Sequence, residues 1–320
     1  MQAKPAPPAL LPGLSGLPGP TWLQQQSAKA LLFQHLHRGP QMLVIGNAWD
    51  AASARMFEDA GVVAIGTSSA GVAFSHGHRD DTAVPRSVLL AATGEIAAAV
   101  RVPVTADILN GLGATPRAVA ATVKKVVALG AVGVNIEDGN DDGTLADIGL
   151  QAEKIAAAVE AAQQAGVDIV INARTDACWL RLGDAASCLR TSIERARRYR
   201  QAGAHCLFVP GVVDAGSIST LVGAVDGPLN ILAGAGCPSV AVLQALGVRR
   251  LSLGSGPMRA AMLLTRRIAR DLLDHGSTLL CQEQALPYAE ANALFIARRA
   301  AGPAAAALPP RQSRRRVRPG

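Results

Sequence analysis

Aromatic residues are scarce in this 320-residue chain, at only 3%, and that scarcity argues against aromatic base-stacking modules and against an all-β sandwich. Charge is sparse as well, at 17% beside 49% hydrophobic residues, which excludes intrinsic disorder for most of the chain. The five cysteines, Cys178, Cys188, Cys206, Cys237 and Cys281, are odd in number and include no C-x-x-C pair, so neither a disulfide framework nor structural zinc is supported. No apolar run reaches the roughly 20 residues of a membrane span. A basic-then-apolar secretory pattern is missing too: residues 1–20 contain six prolines and read as a floppy extension. A reducing, cytoplasmic setting is the expectation.

The formal charge of +7 is local. Five arginines, Arg311, Arg314, Arg315, Arg316 and Arg318, lie in the last ten residues, and without them the charge falls to +2. Such a tail reads as a solvated, disordered end over 303–320, and neither nucleic acid nor membrane is expected as a partner.

What is present is alternation. From residue 42, Val/Ile/Leu-rich runs bounded by Gly, Asn, Asp or Ser are each followed by an Ala-rich stretch of helical periodicity. Strands are expected at Met42–Ala48, Val63–Ser69, Val102–Ile108, Gly133–Asp138, Asp168–Thr175, Cys206–Gly211, Leu229–Gly234 and Arg250–Ser255. Helices fall between them, and the α-to-β junctions repeat a glycine stop at Gly61, Gly130, Gly166, Gly203 and Gly247. Eight such units predict a closed (β/α)8 TIM barrel over 28–302, after an extension over 1–27. A Rossmann fold would need a glycine cluster directly after the first strand, which is lacking. Leu286–Ala301 reads as an extra amphipathic helix that needs an apolar surface, such as a neighbouring subunit.

In such barrels the chemistry sits where strands end. The polar residues there are Asn47 and Asp50; Thr67, Ser68, Ser69 and the loop His76 to Asp81; Thr105 and Asp107; Asn135, Glu137 and Asp138; Asn172, Arg174 and Asp176; and Asn230. Alternation puts Asn135 with Glu137, and Asn172 with Arg174 and Asp176, on one face of their strands. Hard oxygens beside one arginine suit Mg²⁺ and an anionic substrate, because Mg²⁺ takes few direct carboxylates and keeps several waters. The same residues also read as strand-end caps and salt bridges, with Arg174 pairing Glu137. His76 and His78 read as loop residues lining the mouth, Cys237 as structural, and the turns Gly234–Gly236 and Gly254–Gly256 as weak phosphate-binding candidates.

Six segments, "GNAWDAASARMFEDAG" (46–61), "AIGTSSAGVAFSHGHRDD" (64–81), "VPVTADILNGLG" (102–113), "GVNIEDG" (133–139), "INARTDA" (171–177) and "LAGAGCPSVAVLQALGVRRLSLGSGPMRAAM" (232–262), fall in order on successive strand ends. On these the chain resembles the isocitrate lyase / phosphoenolpyruvate mutase superfamily, close to its short, carboxyvinyl-carboxyphosphonate phosphorylmutase-like bacterial members. The resemblance implies a (β/α)8 barrel assembled as a homotetramer with exchanged C-terminal helices, binding Mg²⁺ and a small carboxylate substrate. Position by position it implies Asp107 as the main metal-binding aspartate, Asp80 and Glu137 as further acids around the ion, Arg174 as the substrate-carboxylate grip, and Ser68, Ser69 and Ala70 as the cradle for the other end of that carboxylate. Asp107, Glu137 and Arg174 are thereby the implied catalytic set.

The implied chemistry is a Mg²⁺-dependent lyase reaction, breaking a C–C bond in a 2-oxo or 2-hydroxy di- or tricarboxylate through an enolate. C–P chemistry, as in phosphonate mutases and phosphonopyruvate hydrolase, is the alternative, and a carboxylate-binding barrel without catalysis is a third. Where isocitrate and methylisocitrate lyases carry a Cys-Gly-His loop, this chain has "DGNDDGTLAD" (138–147), which makes those two activities poor matches. Thr105 replaces an aspartate of the mutase, and Leu109 and Leu112 replace the Glu and Tyr of many short relatives.

Overall fold

The computed structural model describes residues 21–80 and 84–295. The expected proline-rich start and the arginine tail fall largely or wholly outside them. In chain order the elements are α1 (Trp22–Arg38), β1 (Leu43–Val44), β2 (Gly46–Ala48), α2 (Ala51–Asp59), β3 (Ile65–Thr67), α3 (Ser69–Ser75), α4 (Arg86–Ala99), β4 (Val104–Asp107), α5 (Pro116–Ala128), β5 (Gly133–Glu137) and α6 (Ile148–Gln164). They continue as β6 (Val170–Arg174), α7 (Ala185–Gln201), β7 (Cys206–Phe208), α8 (Ala215–Ala224), β8 (Leu229–Leu232), α9 (Val240–Ala245), β9 (Arg250–Ser252), α10 (Gly256–His275), α11 (Leu279–Gln284) and α12 (Tyr288–Leu294). All strand pairs are parallel, in the order β1-β9-β8-β7-β6-β5-β4-β3-β2.

The barrel closes through a division of its first strand. The expected strand Met42–Ala48 changes partners at the buried Ile45, where Leu43 and Val44 pair with Arg250 and Leu251 while Gly46–Ala48 pair with Ile65–Thr67. One stretch of chain thus joins both edges of the sheet and leaves the ring without a free edge. At the changeover a Cβ on Gly46 would lie 2.6 Å from the Phe57 ring, so glycine there lets α2 pack directly on the strand. The five glycine stops all adopt positive φ, between 76° and 101°. Each satisfies a left-handed helix exit at no Cβ cost.

Helix α1 was not expected, and the boundary drawn at residue 27 falls inside it. Its start is a capping box: the Thr21 N–H donates to Gln24 Oε1 at 2.7 Å and the Gln24 N–H to Thr21 Oγ1 at 3.3 Å. The helix covers the end of the barrel where strands begin. Gln26 Nε2 donates to the carbonyls of Val127 at 2.6 Å and Ala131 at 3.1 Å, and Phe33 and His37 are buried against the fully buried Arg250. Arg250 Nη2 reaches Asn135 Oδ1 at 3.1 Å, and its Nη1 lies 3.4 Å from His37 Nε2.

Burial, then the Arg250 charge, hold the His37 imidazole down to about 3, so it is neutral in the folded protein. The unfolded chain takes up a proton near 6.5. Stability from this site is therefore complete above pH 6.5 and is lost as pH falls from 6.5 toward 3, at up to about 1.4 kcal/mol per pH unit. Urea unfolding over that window should show a steeper acid loss for the wild type than for His37→Gln; parallel curves would contradict the assignment.

Candidate active site

Register decides which side chains meet at the mouth. Asp107 on β4 is opposite Asn135 on β5, Glu137 on β5 is opposite Arg174 on β6, and Arg174 is opposite Phe208 on β7. The residues expected at the strand ends are thereby brought onto neighbouring strands.

Three donors orient the Asp107 carboxylate. Ser69 gives Oδ2 its hydroxyl at 2.7 Å and its backbone N–H at 3.1 Å, and the Leu109 N–H reaches Oδ1 at 3.3 Å. The Asp107 N–H in turn donates to Thr67 Oγ1 at 2.8 Å. Ser68 has a different task, since its hydroxyl caps α3 by accepting the Gly71 N–H at 3.1 Å. Ala70 follows in the first turn of α3. Of the expected carboxylate cradle, the Ser69 donors are thus already turned to Asp107.

Arg174 is clamped by two carboxylates. Its Nη1 lies 2.7 Å from Glu137 Oε2 and its Nε donates to Asp176 Oδ1 at 2.6 Å. Burial pushes the Glu137 carboxyl up to about 8; Arg174 opposes this, and the charges of Asp107, Asp176 and Asp80 add to it. Burial raises the Asp176 carboxyl as well. Arg174 is held above its usual range by Glu137 and Asp176 despite its own burial. Asp80 is exposed, and it joins this group through its field at Glu137. Among the described residues no three or more of His, Cys, Asp and Glu gather as a compact metal centre.

Behind Arg174 lies a network on residues of α7 that strand-end reasoning misses. The fully buried Asp138 accepts the Asp176 N–H at 2.8 Å on Oδ1, and Tyr199 Oη at 2.6 Å and Arg195 Nη1 at 3.0 Å on Oδ2. Arg195 also ties down the 138–147 loop through the Ala146 carbonyl at 2.9 Å. A Cβ on Gly139 would stand 2.6 Å from Asp176 Oδ2, so that position admits only glycine while Asp176 faces Arg174. The available signal was the spacing of Ser192, Arg195, Ala196 and Tyr199, which points two polar side chains along the inward face of a charged helix.

Other candidates are structural. Asp50 caps α2 through the Ser53 N–H at 2.7 Å, and Asn47 Oδ1 accepts the N–H groups of Leu253 at 2.7 Å and Gly254 at 3.1 Å. His76 Nδ1 lies 3.0 Å from the Val72 carbonyl at the end of α3. Cys237 is half-buried against the core. The loop after β4 is unusual: Leu109 and Leu112 have φ of 52° and 51°, and both pack with Trp49, Val72, Leu89 and Ala92 in a second apolar cluster. A left-handed leucine costs about 1–3 kcal/mol, a strain that concentrates at working sites.

An eight-unit parallel barrel with an arginine and several acids at the strand C-termini gathers its polar side chains at the face where barrel enzymes carry their active sites. The family described as Phosphoenolpyruvate phosphomutase matches residues 33–273, and the chain belongs to the phosphoenolpyruvate mutase / isocitrate lyase superfamily of lyases and mutases. It is 36% identical over 265 residues to the "Uncharacterized protein Rv1998c" of Mycobacterium tuberculosis, covering 82% of this chain and 96% of that one. A crystal structure from Burkholderia cenocepacia J2315, assigned provisionally as a lyase/mutase, superposes with a TM-score of 0.80 at 36% identity, over 86% of this chain and 98% of that one. The crystal structure of 2,3-dimethylmalate lyase superposes with a TM-score of 0.72 at 26% identity, over 83% and 94%.

Removing the Asp138 carboxylate takes the counter-charge from Arg195 and the acceptor from the Tyr199 hydroxyl, leaving them only each other and the Ala146 carbonyl. Asp138→Ala should cost about 3 kcal/mol and Tyr199→Phe about 1 kcal/mol in chemical denaturation. An unfolding midpoint unchanged in Asp138→Ala would show that the network does not support the site.

Proposed function

We propose that the chain is a Mg²⁺-dependent lyase that cleaves a C–C bond in a small 2-oxo or 2-hydroxy di- or tricarboxylate through an enolate. The observation that carries this reading is Arg174, fixed by Glu137 and Asp176 beside the oriented Asp107. A guanidinium held at two corners is organised before substrate arrives, so little ordering is left to cost on binding. Arg174 grips one substrate carboxylate, while Ser68, Ser69 and Ala70 border the other end from β3 and α3.

The donor set suits a hard divalent cation. It offers oxygen alone, and the acids crowd one another enough that the negative charge of Asp107, Asp176 and Asp80 adds to the upward push on Glu137. Asp107, Asp80 and Glu137 would hold the ion. The chemistry a bound Mg²⁺ supplies at such a site is neutralisation of the negative charge that gathers on the substrate oxygen as the adjacent bond breaks. Asp107 is kept in place for this by Ser69 and Leu109. Partial burial of the Arg174–Glu137 pair, whose side chains are 19% and 15% exposed, strengthens it relative to a pair in open water. C–P chemistry finds less support, because the Gly254 amide in one of the two glycine turns is engaged by Asn47.

The carboxylate partner is joined by a second copy of the chain. Helices α10, α11 and α12 carry no buried residue, and Leu263, Leu273, Leu279 and Tyr288 are more than half exposed on them. Such faces fit helix exchange in a homotetramer. No helix among the described residues is long and apolar enough to cross a membrane.

Calorimetric titration with oxalate, which resembles the enolate of pyruvate, tests the site. Binding should require Mg²⁺ and weaken at least about a hundredfold in Asp107→Ala and Arg174→Ala; oxalate binding that ignores both Mg²⁺ and Asp107 would overturn the reading. Leu263→Asp with Leu273→Asp should lower the mass seen by light scattering, and an unchanged mass would remove these helices from the interface.

A further inference from the structure

Two of the chain's ten aromatic residues lie close to one guanidinium. The Phe208 ring centre lies 5.7 Å from Arg174 Cζ and is buried; that of Trp179 lies 6.0 Å away and the residue is 53% exposed. Trp179 is one of three tryptophans, and its indole offers a large apolar face with a polar N–H edge beside the guanidinium.

Its backbone is not loose. The turn after β6 is closed by the Leu180 N–H on the Asp176 carbonyl at 2.8 Å and the Leu182 N–H on the Ala177 carbonyl at 3.1 Å, and Arg181 is left-handed, with φ of 55°. From β7's side, Gly211 approaches so closely that a Cβ there would lie 2.9 Å from the Trp179 nitrogen and the Cys178 carbonyl. The turn that presents Asp176 to Arg174 therefore also presents the indole, from an ordered backbone beside the guanidinium.

A carboxylate bound to a guanidinium places its carbon roughly 4 Å from Cζ. The Trp179 ring, centred 6.0 Å from the same atom, is the exposed apolar surface next to that position. We propose that Trp179 is the specificity-determining wall of the site, selecting oxo- or hydroxy-acids that carry an alkyl substituent next to the carboxylate held by Arg174. This rests on the carboxylate-binding reading above and adds the class of substituent. Simple stacking on Arg174 would help every carboxylate equally, whereas an apolar wall favours those with something apolar to bury.

The test is calorimetry on the full chain with Mg²⁺, using oxalate, which has no alkyl group, and 3-methyl-2-oxobutanoate, which has a branched one. Trp179→Ala should weaken 3-methyl-2-oxobutanoate about tenfold and oxalate less than twofold, and Trp179→Phe should retain most of the difference. Trp179→Gln, which keeps an exposed position polar, provides the same ratio should the alanine variant melt early. Binding of 3-methyl-2-oxobutanoate should also change the tryptophan emission of the wild type and leave that of Trp179→Phe, with Trp22 and Trp49 intact, unmoved. Equal weakening of both ligands, or no weakening of either, would overturn the inference while leaving the carboxylate site standing. A wild type that binds 3-methyl-2-oxobutanoate but fails to bind oxalate with Mg²⁺ would sink the enolate-site reading and leave the Trp179 ratio to be read between 3-methyl-2-oxobutanoate and 2-oxobutanoate.

Discussion

A guanidinium held by two carboxylates under the mouth of the barrel is the contact on which the other arrangements converge. Arg174 needs Glu137 from the next strand and Asp176 from its own turn, and Asp176 needs Asp138 to hold its backbone. Asp138 would be an intolerable buried charge without Arg195 and Tyr199, so a helix on the outside of the barrel becomes part of the site's foundation. The acids exceed the cations at this mouth, an imbalance that supports the proposed divalent cation. Stability and the proposed chemistry are therefore not separable here: the groups that fix the arginine are those whose charge would select the ligand.

The β/α alternation was legible because parallel strands buried on both faces read as continuous apolar runs and helices end on glycine. Gly61, Gly130, Gly166, Gly203 and Gly247 mark real left-handed exits, each closing one helix of the repeat. Asp107, Glu137 and Arg174 were legible because period-two alternation and a strand C-terminus suffice to aim a side chain at the mouth. The resemblance to a superfamily assigned them roles; register brought them side by side.

What stayed hidden depends on partners distant in sequence. Nothing local in Met42–Ala48 distinguishes one strand from two half-strands with different neighbours; only the identity of β9 and β3 reveals it. Helix α1 announces itself by Thr21 and Gln24 alone, because its composition lacks a strong apolar stripe. Ser69 reads as a ligand donor, yet its donors are turned to Asp107, a pairing between residues 38 apart. Arg250 opens the expected strand Arg250–Ser255 with no sign of its surroundings, and it is buried whole, with Asn135 and His37 in place of a carboxylate.

The division at Ile45 also governs how the molecule comes together in time. Neither half of the first strand has a complete environment until β9 arrives, and the bond from the Leu253 N–H to Asn47 spans 206 residues. Loop closure over that length is entropically slow and yields its return only at the last step. A nascent or truncated chain ending before Arg250 lacks the strand that joins β1 to β8, so its ring stays open. Its final seam is a checkpoint on the whole length of the barrel.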